Sequence, residues 1–95
     1  MCTNIVHRID IDGSGKTPLG WLPVTAAAIT YDHPTHANVD HAINIDFVNP
    51  SEGLAARVPV ELSLSAARQL ALTLLAAVEE AEAFEAAAQP AAVTP

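Results

Sequence analysis

Apolar residues alternate with polar ones in three separate runs, a fourth run is rich in β-forming residues, and the period then changes once, near residue 63. Side chains of a strand alternate between two faces, whereas those of a helix return every 3.6 residues. The switch therefore predicts strands first and one helix last. Ile5, His7, Ile9 and Ile11 alternate with Val6, Arg8, Asp10 and Asp12, giving a strand over about 4–12. A second strand, rich in Val, Thr, Ile and Tyr, is expected over about 24–32 and should stop at His33, because Pro34 pushes that residue to an extended conformation. His41, Ile43, Ile45 and Phe47 mark a third strand, and Ala56, Val58, Val60 and Leu62 a fourth. Pro59 lacks a ladder donor, which favours a sheet edge for the fourth. Asn49-Pro50-Ser51-Glu52-Gly53 reads as the turn between the last two strands.

Ala67, Leu70, Ala71, Leu74, Val78 and Ala81 then form one apolar helical face, with Ser63 or Ser65 as cap and an end near residue 84. Glu79, Glu80, Glu82 and Glu85 lie at the wrong end for the helix dipole and should fray the last turns. The expectation is an α+β fold. It is a four-stranded antiparallel sheet with one C-terminal helix packed across one face (ββββα). The domain would occupy 1–85, followed by a disordered Ala/Pro-rich tail over 86–95.

A chain of 95 residues allows one domain. Its 19 alanines and 4% aromatic content leave a thin core. Association into a homo-oligomer, a dimer or larger, would supply burial that a chain this small lacks. Eleven acidic against four basic residues give a net charge of −7, which argues against nucleic acid and anionic membranes as partners. The longest apolar stretch falls far short of the ~20 residues a membrane span needs. Met1 to Asp10 shows no basic segment followed by an apolar run, so a cytoplasmic, reducing compartment is expected. One cysteine, Cys2, rules out an internal disulfide.

Gly13-Ser14-Gly15-Lys16-Thr17 looks like half of a phosphate-binding loop. Asp10 stands where that pattern needs its first glycine, and Pro18, Gly20 and Pro23 forbid the helix it must open. The segment instead reads as a long glycine-rich loop, with Trp21 and Leu22 folding back on the core. Trp21 and Tyr31 are taken as packing residues, and His7 as a hydrogen-bonded core histidine. Asn44 and Asp46 share the other face of the third strand, solvated if that face is open and paired if it is an interface.

The segment Asp32-His33-Pro34-Thr35-His36-Ala37-Asn38-Val39-Asp40-His41 carries the chemistry. Imidazole is the commonest nitrogen ligand for zinc, iron, nickel and copper, and neighbouring carboxylates orient the rings. His33, His36 and His41 are candidate ligands for such a divalent transition metal, with Asp40 as orienter. Solvated loop histidines are the competing reading. In an up-and-down sheet, Cys2, His33, His36, His41 and the helix start all fall at one end. His41 shares the face of Ile43, Ile45 and Phe47 and should point to the core. With Met1 removed, the amine and thiolate of Cys2 would add a ligand or a nucleophile; a frayed end is the plainer account.

The opening Met1-Cys2-Thr3, Gly13-Ser14-Gly15-Lys16 with Gly20-Trp21, and Asp32-His33-Pro34 with His36-Ala37 belong to one pattern. Asp40-His41, Asn44-Ile45-Asp46-Phe47 and Asn49-Pro50 complete it. Together they resemble a family of short bacterial proteins known only as a domain of unknown function, over about residues 1–80. The resemblance implies a stand-alone domain whose Met-Cys start is the true one, and it carries no catalytic assignment. Three functions stay open: a small metal-binding domain, a non-enzymatic homo-oligomeric interaction module, and an enzyme with Cys2 as nucleophile.

Overall fold

The computed structural model describes residues 4–53 and 56–88. Strands β1 (Val6–Thr17), β2 (Gly20–Asp32), β3 (Ala42–Val48) and β4 (Arg57–Leu62) precede helix α1 (Leu64–Ala88). The strands form one antiparallel sheet in the order β1-β2-β3-β4. The α+β order ββββα is the one the change of period predicts. The sheet and the helix are separate compact units that divide between Leu64 and Ser65.

Residues directly opposite in an antiparallel pair share a face. Register therefore sorts the sheet into two chemistries. Ile9, Ala27, Ile29, Ile43, Ile45, Phe47, Val58, Val60 and Leu62 fall on one face. Thr30, Asp32, Asn44, Asp46, Pro59 and Glu61 fall on the other. Pro59 sits in edge strand β4, where its missing N–H costs no interior ladder bond. Among the described residues, the buried apolar side chains are Val24, Ala26, Ala27, Ala42 and Ala56. They are small, as the alanine content anticipates.

The glycine-rich segment is not a loop. β1 continues through Gly13, Ser14, Gly15 and Lys16 to Thr17, and β2 already begins at Gly20. A two-residue turn, Pro18–Leu19, joins them. The register shifts between Asp10 and Gly13, where Ile11 and Asp12 form a bulge. The bulge ends the period-two pattern early, so the alternation stops where the strand only changes phase. Thr17 closes the turn: its hydroxyl donates to the Gly20 carbonyl at 3.1 Å and accepts from the Leu19 amide at 3.1 Å. Gly20 has φ of 101°, a backbone conformation that favours glycine. Trp21 does not fold back; it is 69% exposed. A Cβ on Gly15 would lie 3.1 Å from Val24 Cγ2 and 3.2 Å from Val58 Cγ2. β1 and β4 are opposite edges of the sheet, so the sheet curls until its first strand meets its last. His7 is exposed on β1, not a core residue.

Asn49 explains the Asn-Pro turn. It is 5% exposed, and its Nδ2 donates to the Pro23 carbonyl at 3.0 Å. Its Oδ1 accepts from the Ser51 amide and hydroxyl at 3.2 and 2.7 Å. It thereby caps a 3-10 turn, Pro50–Glu52, and ties it to β2. The helix reaches Ala88, beyond the expected end near 84 and through the first three residues assigned to the tail. Runs of Ala, Leu and Glu have high helix propensity, which outweighs the unfavourable dipole placement of the glutamates. The rest of the tail lies outside the described residues. No described helix is long and apolar enough to cross a membrane.

Candidate functional site

β2 ends at Asp32, β3 begins opposite it at Ala42, and the intervening residues carry the histidines. Leu62, the last residue of β4, pairs with Ile43, so β4 ends here too. The start of β1 pairs with Thr30 at the same end. The up-and-down meander thus brings the ends of β2 and β4 and the starts of β1 and β3 together. Cys2 lies outside the described residues.

His33, Asp40 and His41 form a group in which one potential ligand atom from each residue lies within 4.8 Å of the others. The rings of His33 and His41 are 4.2 Å apart between centroids and inclined by 34°. His41 also stacks on Tyr31, with centroids 5.2 Å apart and an interplanar angle of 26°. Tyr31 is therefore a packing residue, and what it packs against is the site histidine. His41 is half-buried, as its strand phase requires; His33 and Asp40 are exposed.

Asp40 orients both rings. His33 Nδ1 lies 3.1 Å from the Asp40 backbone carbonyl, and His41 Nδ1 lies 3.2 Å from its Oδ2. A carbonyl only accepts, so the His33 contact places the proton on Nδ1 and the lone pair on Nε2. An ionised Asp40 carboxylate imposes the same tautomer on His41. Holding one nitrogen of each imidazole while presenting the other is how outer partners prepare histidines for a metal. The Asp32 side chain accepts from the His33 amide at 2.7 Å and fixes the backbone at the loop's entry.

His36 is not in the group. Its amide donates to Glu61 Oε1 at 2.9 Å, with Thr35 donating to Oε2 at 2.5 Å and Ala37 to Oε1 at 2.8 Å. These three amide bonds, that from Thr35 foremost, hold the Glu61 carboxyl below its ordinary range, and the charge of His36 adds to the effect. Sequence reasoning missed Glu61. In the strand pattern it is one more polar-face residue, and no local signal ties it to a segment some 25 residues earlier.

Glu61 also borders a polar cavity of about 210 Å³, lined by Thr30, Asp32, Asn44, Asp46 and Arg57 among others. Arg57 Nη2 pairs with Asp46 Oδ1 at 2.8 Å. Asn44 Nδ2 reaches the Asp32 carbonyl at 3.4 Å, while its buried Oδ1 has no hydrogen-bond partner among the described residues. The polar face is thus partly paired within the chain, by Asp46, and leaves one acceptor unmatched.

Fold and site define a small α+β protein: a four-stranded antiparallel meander, a C-terminal helix, and a histidine–aspartate group at the β2–β3 end of the sheet. The chain belongs to the family of unknown function DUF6295, which it matches over residues 1–87. No curated protein and no solved structure matches it.

Proposed function

We propose that this domain binds a divalent transition metal ion of the zinc, iron, nickel or copper kind through the His33 and His41 imidazoles, with Asp40 as their orienter. The observation that carries the reading is the approach of His33, Asp40 and His41 within 4.8 Å. With each Nδ1 turned to Asp40, the two imidazoles keep Nε2 as donor nitrogen, a ligand type suited to these ions. Two protein ligands leave coordination positions for His36, for Cys2 or for solvent. A site that keeps a solvent position is of the kind that supports chemistry, whereas fully closed sites are structural.

The test is elemental analysis by mass spectrometry on untagged protein, beside a His33→Ala/His41→Ala double variant. Near-stoichiometric metal in the wild type and none in the variant is the expected result. No metal in either, and no binding on adding zinc, iron, nickel or copper, removes the reading.

A second reading, a homo-oligomeric interaction module, is favoured by helix α1. Leu70, Leu72, Leu74, Leu75, Val78 and Phe84 are all exposed, and none of the helix's residues is buried. Large exposed apolar surface marks an interaction site. Light scattering after size exclusion, giving a mass above 9.9 kDa that falls on Leu74→Glu, supports it; a monomer at all concentrations removes it.

A further inference from the structure

The segment that carries the histidines is held from outside itself. Three successive amides, Thr35, His36 and Ala37, converge on one carboxylate, Glu61. Successive N–H groups pointing into one concavity make an anion-binding nest. Here the anion belongs to the same chain and stands on β4, opposite Asn44 of β3. Asn44 in turn reaches the carbonyl of Asp32, the residue before His33. The start of the loop and its middle are therefore both tied to the polar face of the sheet, by neighbours on adjacent strands.

From this arrangement we infer that Glu61 is a positioning residue for the His33–His41 pair: it fixes the loop so that both imidazoles are prearranged for the ion. The inference rests on the metal-binding reading above. Three bonds from consecutive amides remove most of the freedom of Thr35–Ala37. Without them, His33 and Asp40 would be joined by a free tether, and the ion would have to order it on binding. Ordering supplied before binding raises affinity by lowering that cost. A bond to a carboxylate is stronger than one to a neutral acceptor, so glutamine does not replace glutamate in this role. The restraints from Asp32 to the His33 amide and between His33 and Asp40 are local and do not tie the segment to β4.

The experiment is a titration of the full chain with Co²⁺, followed by its ligand-field absorption. It compares wild type, Glu61→Gln, Glu61→Asp and Thr35→Ala. Amide hydrogen exchange at residues 35–37 and circular dichroism are recorded alongside. The expected result is binding about tenfold weaker in Glu61→Gln, the size of effect that outer partners of metal ligands have. An altered cobalt spectrum, faster exchange at 35–37 and an unchanged strand signal should accompany it. Thr35→Ala keeps the donating amide and should match wild type. Glu61→Asp keeps the charge and should recover part of the affinity, which an effect through general instability would not give. Wild-type affinity and an identical spectrum in Glu61→Gln overturn the inference while leaving the metal reading intact. Should Glu61→Gln fail to fold, Glu61→Asp decides alone: wild-type exchange at 35–37 together with weakened binding overturns the inference. No Co²⁺ uptake by wild type overturns the metal reading itself.

Discussion

The imidazoles of His33 and His41 lie side by side at the β2–β3 end of the sheet, 4.2 Å between ring centroids and inclined by 34°. They flank the last pair of the β2–β3 ladder, Asp32 with Ala42. Asp40 contacts both, one through its backbone and one through its side chain. Each ring should therefore matter to metal affinity. His33→Ala and His41→Ala should each weaken zinc binding at least about tenfold by calorimetry, the scale that outer partners alone reach. His36→Ala should change it by no more than about twofold to threefold, since the other two rings and their orienter remain. A His36 effect equal to the others would put that side chain among the ligands.

Asp40 offers a second, independent test of the same geometry. Asp40→Asn keeps the carbonyl that holds His33 and removes the charge that holds His41. Zinc affinity should fall about tenfold, an outer-partner effect, and the His41 ring resonances should move more than those of His33. Nuclear magnetic resonance of the ring carbons and nitrogens checks both parts.

The amides of Thr35, His36 and Ala37 stabilise ionised Glu61. Its carboxyl therefore titrates below the ordinary 4.5. A carboxyl lowered in the folded state binds fewer protons there than when unfolded. Its contribution is complete above the unfolded value and is lost as pH falls through the folded one. His36 acts on it through its charge, and Asp32, Asp46 and Arg57 line the same cavity, the last two paired with each other. Amide protection at 35–37 should hold at pH 5 and above and should collapse only in the acid range below about 4.5. Exchange measured from pH 3 to 7 checks this. A loss of protection between pH 5 and 7 would point to the histidines instead of Glu61.

Asn49 spends both ends of its amide inside the protein, on Pro23 and on Ser51. Asn49→Ala removes the donor to the Pro23 carbonyl and the cap of the Pro50–Glu52 turn. A loss of about 0.5–2 kcal/mol is expected from urea unfolding, the cost of a lost cap. Metal affinity should not change, because Pro23 and Asn49 lie towards the other end of β2 and β3.

Gly15 and Gly13 make a matched pair on β1. An alanine at 15 must push against Val24 and Val58, whereas one at 13 meets nothing within 4 Å. Gly15→Ala should destabilise by about 1–3 kcal/mol through overpacking. Gly13→Ala should be neutral or stabilise by up to about 1 kcal/mol, by restricting the unfolded chain. Thermal unfolding of the two variants side by side checks the contrast.

Much of this was legible in the residues. The alternation of Ile43, Ile45 and Phe47 fixes the phase of β3, and that phase puts His41 on the apolar side beside Tyr31. Pro59 marks an edge, and it lies on one. The hairpin tip was not legible, because the bulge at Ile11–Asp12 interrupts the alternation and glycines fill the strand beyond it. A glycine in a strand shows no side-chain pattern, and only the approach of Val58 shows what Gly15 is for. Glu61 was hidden for a different reason. Its partners are backbone amides, which every residue carries, so the sequence gives no hint of which amides a carboxylate will meet. The grouping of Asp40 with His33 and His41 in place of His36 depends likewise on how the loop folds back, which spacing alone does not determine.

β2 joins two regions with unlike duties. Its thirteen residues give a contour of roughly 40 Å between the Pro18–Leu19 turn and the histidine end. Sites so far apart, with no partners in common, respond to change almost independently. The turn with exposed Leu19 and Trp21 is thus a place where the chain tolerates insertion, labelling or immobilisation with the other end undisturbed. A probe grafted there would watch the far end without taking part in it.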